Sequence, residues 1–188
     1  MTLCRLTDDT DSFKTLRMMM DKIRLATIGY ESADIADFIA TLKTASVERI
    51  IDIRELPISR RKGFAKKALS EALADAGIEY IHLRGLGDPK AGREAARAGD
   101  YKKFKDIFNE HMKSVAAQRD LSLAVQHVEK GGACLLCYER SHSECHRSIV
   151  AEAISDKITV PIFHLGVRHG LSRQVRNVHS TWISEKRA

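Results

Sequence analysis

Short apolar runs alternate with helical repeats along most of this 188-residue chain. From Leu25, the run RLATIGY closes on a glycine and reads as a strand; RIIDIR, IEYIHL, ACLLCYE and ITVPIFHL follow as further strands. Between them, apolar positions recur with helical spacing. SADIADFIATLKTA puts Ile35, Phe38, Ile39 and Leu42 on one face, with Ser32 as the expected N-cap. FAKKALSEALADAG aligns Leu69 and Leu73, and Gly77 stands where a helix ends in a left-handed residue. RGLGDPKAGREAARAGD reads as a long polar loop with room for a short helix. YKKFKDIFNEHMKSVAA, with Phe104, Ile107, Phe108 and Met112 on one side, predicts a helix, and LSLAVQHVEKGG a shorter one. CHRSIVAEAIS predicts the helix before the last strand, with Ser141 and Glu144 spaced as a capping box.

Strands joined by helices of this length run parallel, because a parallel crossover needs a dozen or more residues. Their uninterrupted apolar interiors fit a sheet covered on both faces. The expected fold class is α/β: one three-layer, Rossmann-like domain over residues 23–165, with a mostly parallel sheet of about five strands. Residues 1–22 read as an N-terminal extension, in which Met18, Met19 and Met20 offer a later translation start. Residues 166–188 read as a basic C-terminal tail, with Arg168, Arg173, Arg176, Lys186 and Arg187 against Glu185 alone.

Composition narrows the partners only a little. The apolar fraction of 44% is ordinary for a globular protein, while the net charge of +6 biases the chain toward anions such as phosphate-bearing small molecules or nucleic acid. No apolar run approaches the ~20 residues that span a bilayer, and the N-terminus lacks the pattern of a secretory signal. A cytoplasmic location without membrane contact is therefore expected. Nothing in the composition indicates an oligomeric state. Four cysteines in such a chain point to thiols or ligands rather than to disulfides.

Ligands of open parallel sheets bind at the carboxyl ends of the strands. There the predicted strands deliver Tyr30, then Asp52 and Arg54, then His82, and finally Cys137 and Glu139. The following helix opens with Cys145, His146 and Arg147, whose backbone N–H groups and dipole favour an anion and a thiolate nearby. Cys134, Cys137, Cys145 and His146 offer four zinc ligands by type. Cys134 and Cys137, three apart on a strand, point to opposite faces, which makes Cys134 a core residue and no metal or other cofactor the expectation, with a site of Cys137, Cys145 and a histidine as the alternative. The nine residues between Cys137 and Arg147 do not match the cysteine-phosphatase loop.

TIGYES, IIDIRELPISRRKGF, KKALSEALADAGIEYIHLRGLG and ACLLCYERSHSECHRSIVAEAI, in that order, resemble the signature blocks of the domain of unknown function 488 family. The resemblance spans roughly residues 25–165 and implies a compact α/β domain of bacteria and archaea with no established activity. It also implies the same polar set, from Tyr30 through Arg147, with Tyr30 replacing a histidine frequent in the family's first block.

The residues lead to a hydrolase or transferase acting on a nucleotide or nucleic acid. Cys137, Glu139, Cys145 and His146 are the catalytic candidates, and Tyr30, Asp52, Arg54, His82 and Arg147 the substrate-binding ones. The alternatives are a noncatalytic nucleic-acid-binding module, based on Arg60, Arg61, Lys62 and the tail, and a thiol-based metal or redox sensor.

Overall fold

The computed structural model describes residues 23–174. Strands β1 (Leu25–Gly29), β2 (Arg49–Asp52), β3 (Glu79–His82), β4 (Ala133–Cys137) and β5 (Ile162–Leu165) form one parallel sheet in the order β3-β2-β4-β1-β5. The helices are α1 (Ile35–Thr44), α2 (Lys66–Asp75), α3 (Lys90–Arg97), α4 (Tyr101–His111), α5 (Val115–Glu129) and α6 (His146–Ile158), with a 3-10 turn at Arg84–Leu86, and residues 171–174, the last described, are also helical.

Strand alternation divides the interior into two cores. Leu25, Ile51 and Leu135 pack beneath Phe104 and Phe108 of α4, Leu121 and Val128 of α5, and Val150 and Ile154 of α6. Their neighbours Ala26, Ile28, Ile50, Cys134 and Leu136 pack on the opposite face with Phe38 and Leu42 of α1 and Leu69 and Leu73 of α2. Successive strand residues face opposite ways, so a strand buried on both faces reads as an unbroken apolar run. The domain is the expected three-layer, Rossmann-like α/β fold. No helix among the described residues is long and apolar enough to cross a membrane.

Local chemistry departs from the sequence expectation at three points. Ser32 takes φ 60°, a left-handed conformation, and an N-cap requires extended backbone; Asp34 caps α1 instead, accepting from the amides of Ala36 and Asp37. Ser141 does not cap α6. Cys145 does, through its sulfur and the Arg147 amide. The helix expected to continue through Ala117 stops at His111, and Ser114 caps α5, which absorbs the shorter predicted helix. Gly77 does follow α2 with φ 74°.

Residues 1–22, including Cys4 and the alternative start methionines, lie outside the described residues, as does the tail beyond 174. The described beginning of that tail is tied to α1: the amides of Gly170 and Ser172 donate to the Asp37 carboxylate at 2.7 and 2.9 Å.

Candidate functional site

The sheet order creates the site. β1 and β4 are hydrogen-bonded neighbours, but β1 leads into α1 on one face of the sheet and β4 into α6 on the other. Connections that leave adjacent strands for opposite faces leave a crevice at the carboxyl ends of the two strands. Gly29 and Cys137 are paired there, and the chain after Cys137 folds across the end of β1. A Cβ at position 29 would stand 1.8 Å from the Glu139 carbonyl oxygen, so the crossing requires glycine.

Four side chains meet under this crossing. The thiols of Cys137 and Cys145 donate to Glu139 Oε2 at 3.0 and 3.1 Å. His146 Nδ1 lies 3.7 Å from Cys137 Sγ and 4.0 Å from Cys145 Sγ, and Nε2 lies 3.2 Å from the Ile53 carbonyl. Cys137, Cys145 and His146 are buried, whereas Glu139 is partly exposed. Cys134 sits on the other face of the sheet in the α1–α2 core and takes no part.

The electrostatics reverse one sequence expectation. Burial raises the thiols of Cys137 and Cys145, the latter well above the usual range, and outweighs the helix start that was expected to favour thiolate. Burial also opposes the Glu139 charge, but the bonds from both thiols hold its carboxyl below the ordinary value. For His146, burial is overcome by Cys145, Glu139 and the Ile53 carbonyl, and the imidazole rises to about 9.

A cleft of about 1030 Å³ opens above this cluster and is lined on its floor by Cys137, Glu139, His146 and Asp88. A smaller cavity of about 270 Å³ shares Asp88, Glu139 and His146 and reaches Cys145. Asp88 was not singled out in the sequence, where it falls within the polar loop RGLGDPKAGREAARAGD. It is only 7% exposed, and its Oδ1 has no hydrogen-bond partner among the described residues. Burial raises its carboxyl to about 6 against the pull of His146 and Arg93. Its only sequence signal is an acidic residue beside a proline in a polar loop, too common a feature to act on alone.

The remaining expected residues form a separate network. Arg54 binds Asp52 with Nε and Nη2 at 2.9 and 2.6 Å, and its Nη1 donates to the Tyr30 hydroxyl and the Phe64 carbonyl, both at 2.9 Å. The Tyr80 hydroxyl donates to Asp52 at 2.6 Å, and Tyr30 stacks on Phe64 with ring centroids 4.4 Å apart. Tyr30 and Arg54 still reach the cleft wall, while Asp52 and His82 do not line it. His82 Nε2 bonds the Arg54 carbonyl at 2.8 Å. Arg147 is 1% exposed and clamps the crossing from below: its guanidinium donates to the carbonyls of Glu139 and Arg140. It does not line the cleft.

Cations do stand on the cleft rim. Arg60, Lys62 and Arg97 are exposed there, with no ion-pair partner among the described residues, and Arg61 donates to the Ala33 carbonyl. Ile58 and Tyr138, 75% and 45% exposed, share this wall.

No curated protein and no solved structure matches the chain significantly. The family model described as Domain of unknown function DUF488 matches residues 34–154, from the cap of α1 into α6, and so takes in the Cys137–His146 cluster, Asp88 and the basic loop. That is more than half of the chain, and the protein belongs to this family.

Proposed function

We propose that the protein is an enzyme that hydrolyses, or transfers a group from, a nucleotide or one nucleotide unit of a nucleic acid. The observation that carries this reading is the cleft itself, where exposed cations ring a floor of buried acid–base groups. Arg60, Lys62 and Arg97 supply charge for phosphate, and Tyr138 and Ile58 offer surface for a base or sugar. Arg54 is held by Asp52, Tyr30 and Phe64, and Arg147, whose Nε alone lacks a partner among the described residues, is buried away from the cleft with both terminal nitrogens on backbone carbonyls, so the rim cations take over the anion contacts assigned to them from sequence.

Asp88 is the group best placed to move a proton. Its Oδ1 has no partner among the described residues, it lines both cavities, and a carboxyl at about 6 exchanges protons readily around neutral pH. A solvated basic patch that only binds nucleic acid has no need of such a group, since buried polar atoms without partners are rare. The buried, protonated thiols argue against cysteine as the nucleophile.

The test incubates the intact protein with nucleoside mono-, di- and triphosphates and short single-stranded DNA and RNA, reading products by mass spectrometry and binding by calorimetry. Turnover of at least one of these is expected. Asp88→Asn should keep binding and lose turnover, and removing Arg60 or Lys62 should weaken binding about tenfold. Binding without turnover would favour the noncatalytic module. Absence of binding by every phosphate compound would reject both.

A further inference from the structure

We infer that Cys137, Cys145, His146 and Glu139 bind one zinc-class divalent cation, with Glu139 as the ligand that faces the cleft. Each of the four offers a donor atom, and all of these lie within 4.8 Å of one another. Around a tetrahedral zinc, with bonds near 2.3 Å to sulfur and near 2.0 Å to nitrogen or oxygen, neighbouring donors stand roughly 3.3–3.8 Å apart. The distances of 3.0 and 3.1 Å from the sulfurs to Glu139, and of 3.7 and 4.0 Å to His146 Nδ1, bracket that range. The set spans up to 4.8 Å, so its widest pair closes by about an ångström to hold the ion.

Three further features prepare these groups for a metal. Cys137 Sγ lies 3.7 Å from Nδ1 and 3.9 Å from Nε2, but the Ile53 carbonyl engages Nε2 and so leaves Nδ1 for the ion, and such a carbonyl partner is a common orienting device for metal-bound histidine. Cys145 has extended backbone while His146 begins the helix, and this bend lets two adjacent residues aim at one point. The Arg147 amide approaches Cys145 Sγ at 3.5 Å, giving a metal-bound thiolate a hydrogen-bond donor. A cation would take the place of the protons now shared among the thiols, carboxylate and imidazole. Two thiolates and an imidazole select zinc over magnesium or calcium, which prefer all-oxygen sites.

Burial separates the roles of the ligands. Cys137 and Cys145 are each 3% exposed and His146 5%, so they form the fixed base of the site. Glu139 is partly exposed on the floor of the large cleft, so its position is the one that water or substrate can take. The sequence sets Cys134 aside as a core residue and leaves Cys137, Cys145 and a histidine as a possible set; what it does not supply is Glu139 as the fourth donor.

This inference does not depend on the identity of the substrate, and its test uses none. The intact protein, purified under reducing conditions without chelator, is analysed for metal and then, after chelation, titrated with Co²⁺. One zinc per chain is expected, together with a thiolate-to-cobalt charge-transfer band in the near ultraviolet and the intense visible bands of a tetrahedral site. Cys137→Ser and Cys145→Ser should each diminish the charge-transfer band, Cys134→Ser should leave it intact, and Glu139→Gln should keep it while weakening binding. The wild-type spectrum answers the question even if a cysteine variant fails to fold. No charge-transfer band with reduced wild-type protein would overturn the inference, as would a band unchanged in folded Cys145→Ser.

Discussion

Two buried polar clusters lie at the same edge of the sheet, and they differ in one respect that separates structure from chemistry. Around β2 and β3, the Asp52 carboxylate and the Arg54 guanidinium meet each other, Tyr30, Tyr80 and a backbone carbonyl. Between β4 and α6, two thiols converge on a single carboxylate oxygen, and nearby Asp88 keeps an oxygen without a partner. The first cluster satisfies its own demands and holds loops in place. The second opens on both cavities through Glu139, His146 and Asp88, with bonding capacity left for a ligand. Polar residues at a strand end therefore need to be sorted by what they already bind before any is assigned to a substrate.

The largest effect should come from breaking the satisfied cluster. Asp52→Ala leaves the Arg54 charge buried without its main partner, and a broken buried pair typically costs about 3–5 kcal/mol. Urea denaturation should show that loss of stability. A change below about 1 kcal/mol would mean that the pair is not the structural element described.

Arg147 offers a sharper contrast, because it lies beneath the second cluster yet serves a structural purpose. Arg147→Ala removes charged hydrogen bonds to the Glu139 and Arg140 carbonyls, each worth about 1.5–3 kcal/mol. Melting should fall, and hydrogen exchange at the Glu31 amide, bonded to the Tyr138 carbonyl, should accelerate as the crossing loosens. A variant that melts normally and loses only phosphate binding would return Arg147 to the role read from sequence.

The smallest effect lies farthest from the cleft. Side-chain and backbone bonds from Ser172, with the Gly170 amide, hold the Asp37 carboxyl at about 2. A carboxyl lowered on folding stabilises this tether above the unfolded value of about 3.9, and the contribution disappears as pH falls through about 2. Exchange at the Gly170 and Ser172 amides should rise across that window, and Asp37→Asn should raise it already at neutral pH. Equal protection in both proteins would show that the tether does not rest on the Asp37 charge.

Much of the architecture was legible because apolar runs and helical spacing report burial directly. The unbroken runs of β1 and β4 marked a covered sheet, and the strand-end rule brought Cys137, Glu139, Cys145 and His146 to one place. What was not legible depends on backbone angles or on distant partners. Ser32 and Ser141 have the right chemistry for caps, but a φ of 60° at Ser32 and an extended Cys145 decide otherwise. Charge alone made Arg54 and Arg147 look like anion ligands, and only the structure shows Arg54 bound to Asp52 and the terminal nitrogens of Arg147 turned to backbone carbonyls away from the cleft. Asp88 is buried partly by the helix that follows it, since a Cβ at Gly92, four residues on in α3, would come within 2.1 Å of its Oδ1, and it lines both cavities with Glu139 and His146, which lie far along the chain.

The contrast between the two clusters can be measured directly by titrating the isotope-labelled protein with inorganic phosphate and nucleoside monophosphates while following backbone amide resonances. A functional site in the cleft predicts saturable shifts concentrated at residues 58–62, 88–97 and 137–146, with Tyr80 and His82 unaffected. Shifts centred on Tyr80 and His82, or no saturable shifts with any of these ligands, would contradict the assignment of the cleft as the site of function.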